Sequence, residues 1–445
     1  MTSVSLKFCK NCYMLPSLGQ LASLKSLRIE RFDELKSIGK EFYKNEGHQH
    51  SLPIALFSSL EELIFYNMPS WEKWQLPGSE AFPQLKRLEI RDCPMLKGDM
   101  VNQVLMRIVS SSSDVSKVRQ LKIQELDEGW SKEMRLDGDS LTISGFESVA
   151  ECAFKARIIH HLTSLQEILI SWCSSVVSLG GNCLPKSLQK LTIFNCRQIE
   201  LLQPQHKYDL VDLQIYQSCA SLTSLSLDAF PNLENLEIEW CSNLESVSKS
   251  EPPHAALQRL TISQCSKFVS LPSDMNSLLP NLHSLDIQGC PNICRLPEGG
   301  LPANLKELSV GDCEEHVRGL SWLGNLDNLT HLTISGLGCE SIKSYPEVGS
   351  LPRLPSLTTL HIQDFHNLET LECNQLLRLT SLQQLIVEDC EKLKNMEAEK
   401  LPPSLLILQL DFCGLLGEHC ENKHQQIWSK ISHIPTIQVN RRQVF

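Results

Sequence analysis

Aromatic residues are scarce in this chain, positive charge is in deficit, and no apolar run approaches membrane length. Each shortfall excludes a class of protein. Aromatics make up 6% of the 445 residues, so the core must be built from layered aliphatic side chains rather than from a few bulky rings. The formal net charge of −11 argues against nonspecific nucleic-acid binding, which needs a basic footprint. No stretch reaches the roughly 18–20 apolar residues that span a bilayer, so membrane insertion is not expected. The first residues, MTSVSLKFCKNCYML, have no signal-peptide apolar region, and nothing points to secretion. The phosphate loop G-x-x-x-x-G-K-[ST], the dinucleotide motif G-x-G-x-x-G, H-E-x-x-H and G-x-S-x-G are all missing. No catalysis, cofactor or metal is therefore expected. His48 and His50 share a loop without carboxylate partners and read as solvated side chains rather than metal ligands.

What the chain does contain is one string, repeated: Leu-x-x-Leu-x-Ile-x-x-Cys. One unit reads Leu282, Leu285, Ile287, Cys290, Ile293, Leu296 and Pro297; another reads Leu257, Leu260, Ile262, Cys265, Phe268, Leu271 and Pro272. Further units begin at Leu24, Leu60, Leu85, Val118, Leu165, Leu188, Leu210, Leu233, Leu305, Leu329, Leu357, Leu382 and Leu405. From Leu165 to Leu405 the starts lie 22 to 28 residues apart, within the leucine-rich-repeat range. A weaker unit at Leu141 and Ile143 is expected to fill the gap between Val118 and Leu165, and a partial one at Leu6 and Phe8 opens the chain, giving about 17 units. The 36 residues from Leu24 to Leu60 imply an inserted loop, and SSSSDVS at 110–116 reads as another.

Leu-x-Ile alternates with period 2 and predicts a short strand with its apolar side chains turned inward. Stacked units should then form a long parallel sheet, with the second half of each unit as the crossover that parallel neighbours need. Pro272, Pro297 and Pro402 disfavour long helices in those crossovers. The expected fold is an α/β solenoid, a leucine-rich-repeat horseshoe with a long parallel concave β-sheet and a mostly irregular convex side. Residues 1–413 form the solenoid, its first repeat incomplete, and 414–445 a C-terminal cap that covers the last apolar layer. Leu222, Leu225 and Leu227 also fit the short pattern but lie too close to their neighbours for a separate coil, which places them on the convex side.

Of the 18 cysteines, nine fall eight residues after the first Leu: Cys93, Cys173, Cys196, Cys241, Cys265, Cys290, Cys313, Cys390 and Cys413. Phe32, Met68, Phe146, Leu337 and Phe365 take that position elsewhere, so it reads as buried, with Cys a small hydrophobe and weak S–H donor. Cys9-Lys-Asn-Cys12, and Cys290 with Cys294, lack the second well-spaced pair that a zinc site needs. Many unpaired thiols imply a reducing compartment, the cytosol or nucleus.

Outward strand positions are the expected binding surface, since solenoids use such faces for partners. Residues 1–44 carry eight Lys/Arg against four Asp/Glu, leaving −15 for the rest. Candidate contacts are therefore basic early on: Lys25, Arg28, Arg31, Lys86, Arg87 and Arg91. They turn aromatic and acidic later: Trp172, Phe194, Tyr216, Glu237, Glu239, Trp240, Asp286 and His361. Exposed aromatics beside charges suit interface anchors, while Trp172 and Trp240, each just before a repeat Cys, could equally serve the turn.

Several strings go beyond a generic repeat. LKFCKNCYMLPSLGQLASLKSLRI at 6–29, SIGKEFY at 37–43, FSSLEELIFYNMPSWEKW at 57–74, SCASLTSLSLDAFPNLENLEI at 218–238 and W-x-K-I-x-H-I-P-x-I from Trp428 to Ile437 resemble the repeats of plant nucleotide-binding leucine-rich-repeat disease-resistance proteins of the coiled-coil class. The resemblance implies a protein-binding recognition domain of an intracellular immune receptor. Its partners would be a pathogen effector or guarded host protein, and the receptor's nucleotide-binding domain, onto which the early repeats dock in autoinhibition. The coiled coil and nucleotide-binding domain of such receptors have no counterpart here. Alternatives are the substrate-recognition arm of a ubiquitin ligase, and a truncated decoy or non-functional receptor fragment. An extracellular receptor is disfavoured by the single sequon, Asn328-Leu-Thr330.

Overall fold

In the computed structural model the period-2 segments are strands, and the inward Leu and Ile of each stack on those of the next. The structure describes residues 2–44, 56–76, 81–96, 98–111, 114–125, 131–146, 148–155, 159, 162–180, 183–202, 207–293, 297, 300–397 and 400–444. His48, His50, Cys294 and Leu296 lie outside these. The chain divides into two compact units, Met1–Ser221 and Leu222–Phe445.

In the first unit the sheet strands are β1 (Ser3–Lys7), β2 (Ser26–Glu30), β3 (Glu62–Tyr66), β4 (Arg87–Arg91), β5 (Gln120–Gln124), β6 (Ser131–Asp137), β7 (Ser140–Ser144), β8 (Glu167–Ser171), β9 (Lys190–Phe194) and β10 (Asp212–Tyr216). Strands β1 to β4 pair in parallel with Val4 opposite Leu27, Leu27 opposite Leu63 and Leu63 opposite Leu88, so that like residues form continuous layers. The inward pair of the first repeat is therefore Val4 and Leu6, and Phe8, expected as its second member, is exposed after the strand. Strands β5, β8, β9 and β10 do the same through Leu121, Ile168, Leu191 and Leu213. Nearly all these side chains are fully buried, each contributing about 2 kcal/mol relative to exposure.

Between β4 and β5 the expected order fails. Strand β6 pairs antiparallel with both β4 and β7, and β7 pairs in parallel with β5. The Leu141 unit therefore does not fill the gap between Val118 and Leu165; it lies on the other side of β5. The cause is local. Asp137-Gly138-Asp139-Ser140 leaves only two residues between paired strands, and Gly138 has φ +58°, as a type II′ hairpin requires at its first central residue. A two-residue link cannot make the crossover of a parallel pair. A Gly-Asp pair, Gly138-Asp139, between alternating apolar residues was the signal for it.

Gly98–Ser111, α1, is a 14-residue helix where a mostly irregular crossover and a 110–116 loop were expected. Residues 110 and 111 end that helix, and Val115–Lys117 forms a 3₁₀ turn. Val101, Val104, Leu105, Ile108 and Val109 are buried at helical spacing, and no proline interrupts them.

The second unit's strands are β11 (Asn235–Glu239), β12 (Arg259–Ser263), β13 (Ser284–Ile287), β14 (Glu307–Gly311), β15 (His331–Ser335), β16 (Thr359–Gln363), β17 (Gln384–Glu388), β18 (Ile407–Asp411) and β19 (Thr436–Val439). These pair in parallel in chain order, Leu236 aligning with Leu260, Leu285, Leu308, Leu332, Leu360, Leu385, Leu408 and Ile437, and Arg442–Gln443 adds a short antiparallel partner to β19. Leu225 lies in a separate two-stranded ladder with Val247, outside the main sheet as its spacing requires. Helices at Gly414–Glu421 and Gln425–Ile431 precede β19. Within these crossovers the described elements are short, as at Met275–Leu278 and Leu320–Asn325.

One cysteine-column assignment is corrected. Leu337 is 40% exposed, and Cys339, two residues later, is the buried residue. Ile342 N–H donates to the Cys339 carbonyl just as Phe268 does to Cys265. The shift accommodates Gly336, where a Cβ would fall within 2.6 Å of three atoms of the Phe365 ring.

Candidate protein-binding face

The outward positions lie on the strands or directly beside them, and the strands' alternate residues are locked into the core, so the face is held by the packing beneath it. The six basic candidates lie at the early end of the first unit, but they are not a bare positive field. Lys25 and Lys86 both hydrogen-bond Glu61, at 2.9 and 3.2 Å. Lys25 and then Lys86 hold the Glu61 carboxyl below its ordinary range. Arg28 pairs with Glu30 at 3.2 Å, and Arg87 reaches Glu62, Glu89 and Glu133 at 3.1, 2.8 and 3.2 Å. Arg31 lies over the Phe8 ring at 5.1 Å. Among the described residues, Arg31 and Arg91 are in no ion pair. The compensation is legible once the repeats are aligned by their first leucine: Lys25, Glu61 and Lys86 occupy one column, and a parallel sheet sets such a column side by side.

The residue that follows most of the strands turns the chain in the left-handed region. Arg31, Asn67, Asp92, Trp172, Asn195, Trp240, Asp312, Asp364 and Asp389 all have φ between +50° and +66°. Asn and Asp tolerate this conformation, because a short polar side chain can bond nearby groups. Asp364 does so, accepting from Ser335 Oγ at 3.1 Å. Trp172 and Trp240 gain no such bond from an indole, yet stand 39% and 60% exposed. Trp172, Phe194 and Tyr216 come together as one ladder over β8, β9 and β10. The Trp172 and Phe194 ring centroids are 5.6 Å apart, edge to face, and those of Phe194 and Tyr216 are 6.2 Å apart.

In the second unit, Glu237 and Glu239 project from β11 and Asp286 from β13, with Thr261 between Glu237 and Asp286 in register. No lysine or arginine pairs with these three carboxyls among the described residues. Burial first, then Glu239 and Glu237, pushes Asp286 up to about 6. Burial and Glu237 raise Glu239 as well. His361, on β16, is not part of this group: its Nε2 lies 3.3 Å from Glu388, and burial lowers its pKa.

Two interior features support the face. The column cysteines Cys93, Cys173, Cys196, Cys241, Cys265, Cys290, Cys313, Cys390 and Cys413 are all free and buried. Cys265 Sγ–H points at the Ser263 and Ile238 carbonyls, at 3.3 and 3.8 Å, and Cys413 at those of Asp411 and Val387, at 3.3 and 3.1 Å. The thiol thus ties each turn to the strand before it. Ser218, in the same column, makes the same ties with a hydroxyl, accepting from Cys196 N at 2.9 Å and donating to Tyr216 O at 2.7 Å. Burial pushes the Cys93 and Cys390 thiols up to about 12, so they stay protonated and unreactive. The second feature is Glu125, which sequence reasoning missed. Its buried carboxyl accepts from Ala150 N, Ser174 N, Ser175 N and Ser175 Oγ at 3.2, 2.9, 3.2 and 2.7 Å. It fastens the turn after β5 to the turn after β8 that Trp172 begins.

Among the described residues no cluster of three or more His, Cys, Asp or Glu is placed to hold a metal, and no helix is long and apolar enough to cross a membrane.

The chain is similar to plant disease resistance proteins along nearly its whole length, and its repeats are leucine-rich repeats. One disease resistance protein of Arabidopsis thaliana is 25% identical over 99% of this chain and 44% of its own length. A disease resistance RPP13-like protein of the same plant is 27% identical over 63% of this chain and 20% of its own length. The chain thus spans less than half of these relatives. No protein-family model matches it. A leucine-rich-repeat protein of Leptospira interrogans aligns with 91% of this chain and 88% of its own at 15% identity and a TM-score of 0.32. An internalin of Listeria monocytogenes aligns with 89% and 87% at 14% identity and a TM-score of 0.25.

Proposed function

We propose that this chain is the protein-recognition region of an intracellular plant immune receptor, working in the cytosol or nucleus, and that it binds proteins rather than catalysing a reaction. The observation that carries this reading is the similarity to a plant disease resistance protein over 99% of the chain. The outward sheet positions supply the contact surface: rigid, aromatic in one stretch, charged in others. A pathogen effector or a guarded host protein is the partner this role requires. The N-terminal basic arc is the docking point for the receptor's nucleotide-binding domain.

The salt-bridge network decides which residues test that docking. Reversing Lys25, Lys86, Arg28 or Arg87 would set two carboxylates against each other and disturb the sheet itself. Arg31 and Arg91, which are in no ion pair among the described residues, are the clean probes. Co-precipitation with the nucleotide-binding domain of a full-length relative should fall roughly tenfold in the Arg31→Glu, Arg91→Glu double variant, with its circular dichroism unchanged. Undiminished capture by a folded double variant would rule out this docking mode.

A further inference from the structure

We propose that the Trp172–Phe194 surface receives arginine side chains of the partner protein. This rests on the reading of the sheet face as a protein-binding surface and gives that surface a chemistry. Trp172 occupies the left-handed position after β8, which other repeats fill with Asn, Asp, Gln, Arg or another aromatic residue, and 39% of it remains exposed. A bulky non-glycine residue in that conformation costs about 1–2 kcal/mol. The buried part of the side chain offsets that cost, and the exposed remainder of the ring is left open on the face for a partner. Phe194, also 39% exposed, holds the Trp172 ring edge to face, and Tyr216 extends the ladder to the next strand.

Several polar groups on these strands pair with one another. Lys190 pairs with Asp212 at 3.3 Å, Thr192 Oγ1 donates to Gln214 at 3.1 Å, and Gln120 donates to Glu167 at 3.2 Å. An incoming partner therefore meets ring faces first. The chain itself shows what covers a ring on this face. Phe8 occupies the same position after β1 that Trp172 occupies after β8, and Arg31 lies over its ring at 5.1 Å. Tyr66 ends β3 as Phe194 ends β9, and Arg28 lies over its ring at 5.9 Å. In both cases the cover is a guanidinium, which stacks on an aromatic face while its N–H groups stay hydrated. No cation stands over Trp172 or Phe194 among the described residues, and the same repeat geometry presents their rings outward.

The test uses labelled peptides with arginines spaced by Gly-Ser, and the same peptides with lysine or leucine in place of arginine. Binding to the full chain is read by fluorescence anisotropy at about 0.15 M salt, where long-range attraction is screened. The arginine peptide should bind about tenfold more tightly than the lysine peptide. That preference should vanish in the Trp172→Gly, Phe194→Ser variant and persist in Trp172→Phe. Equal binding of the two cationic peptides, or a preference that survives the double variant, overturns the proposal. Tightest binding of the leucine peptide, lost in the double variant, would leave the docking face standing and remove arginine as its ligand. Binding of all three peptides that ignores the double variant would remove the ladder as a docking site altogether.

Discussion

Glu125→Ala should loosen the first unit by about 3–4 kcal/mol, the largest effect expected of any single polar substitution in it. Four donors converge on this carboxyl: Ala150 N, Ser174 N, Ser175 N and Ser175 Oγ. Alanine would leave them in a pocket with no other acceptor of that size, and each buried unsatisfied donor costs about 1–3 kcal/mol, less where water reaches in. Glutamine, with one acceptor oxygen and an amide that faces donors, should fall between alanine and the parent. Hydrogen exchange followed by mass spectrometry is the appropriate readout, because stability in a repeat array is local. Peptides covering β5, the helix Val149–Lys155 and the turn after β8 should exchange on the order of a hundredfold faster. Those from β16 to β18 should be unchanged. Unaltered exchange around Ser174 would mean that the carboxyl does not hold the two turns together.

Asp286 should make the second unit less stable as pH rises from about 4 to 7. Its folded-state pKa, raised to about 6 chiefly by burial and then by Glu239 and Glu237, exceeds the unfolded value near 3.9. The folded chain therefore binds the proton more tightly than the unfolded chain. Stability contributed by the protonated form is fully present below the unfolded value and is lost as pH climbs through 6, by at most roughly 3 kcal/mol. Asp286→Asn removes the charge while keeping an acceptor for the backbone. The variant should unfold at higher urea concentration than the parent at pH 7 and at nearly the same concentration at pH 4. A variant weakened equally at both pH values would show that the carboxylate is not the source of the strain.

How much of this was readable beforehand differs between core and surface. Period-2 leucines and isoleucines located the strands, because a strand with one buried face has only one register that hides its apolar set. The cysteine column was legible as buried for the same reason, since Phe32 and Met68 could substitute only in a dry site. Strand order around β6 was not legible from the repeat, because the hairpin at Asp137-Gly138 obeys turn chemistry and ignores the 23-residue rhythm. The helix Gly98–Ser111 carries its own period, Val101, Leu105 and Ile108, which is helical and so falls outside the Leu-x-Ile pattern of the repeats.

On the face, residue types were legible and their state was not. Lys25 and Lys86 read as free cations until the parallel register set Glu61 between them. Glu125 carried no signal in the sequence, since its four donors lie 25 to 50 residues away in the chain. The aromatic ladder was visible as three separate exposed residues, and only the stacking of β8, β9 and β10 made them one surface.

The most direct test of protein recognition through the sheet face is photo-crosslinking to the nucleotide-binding domain of a full-length relative. Benzoylphenylalanine would replace Tyr66, which lies between Glu30 and Arg91 on the face, or Ser37, which lies in a separate two-stranded ladder outside the main sheet. The structure predicts a crosslink from position 66 and none from position 37. A crosslink from position 37 alone, or none from either position in a folded chain, would contradict it.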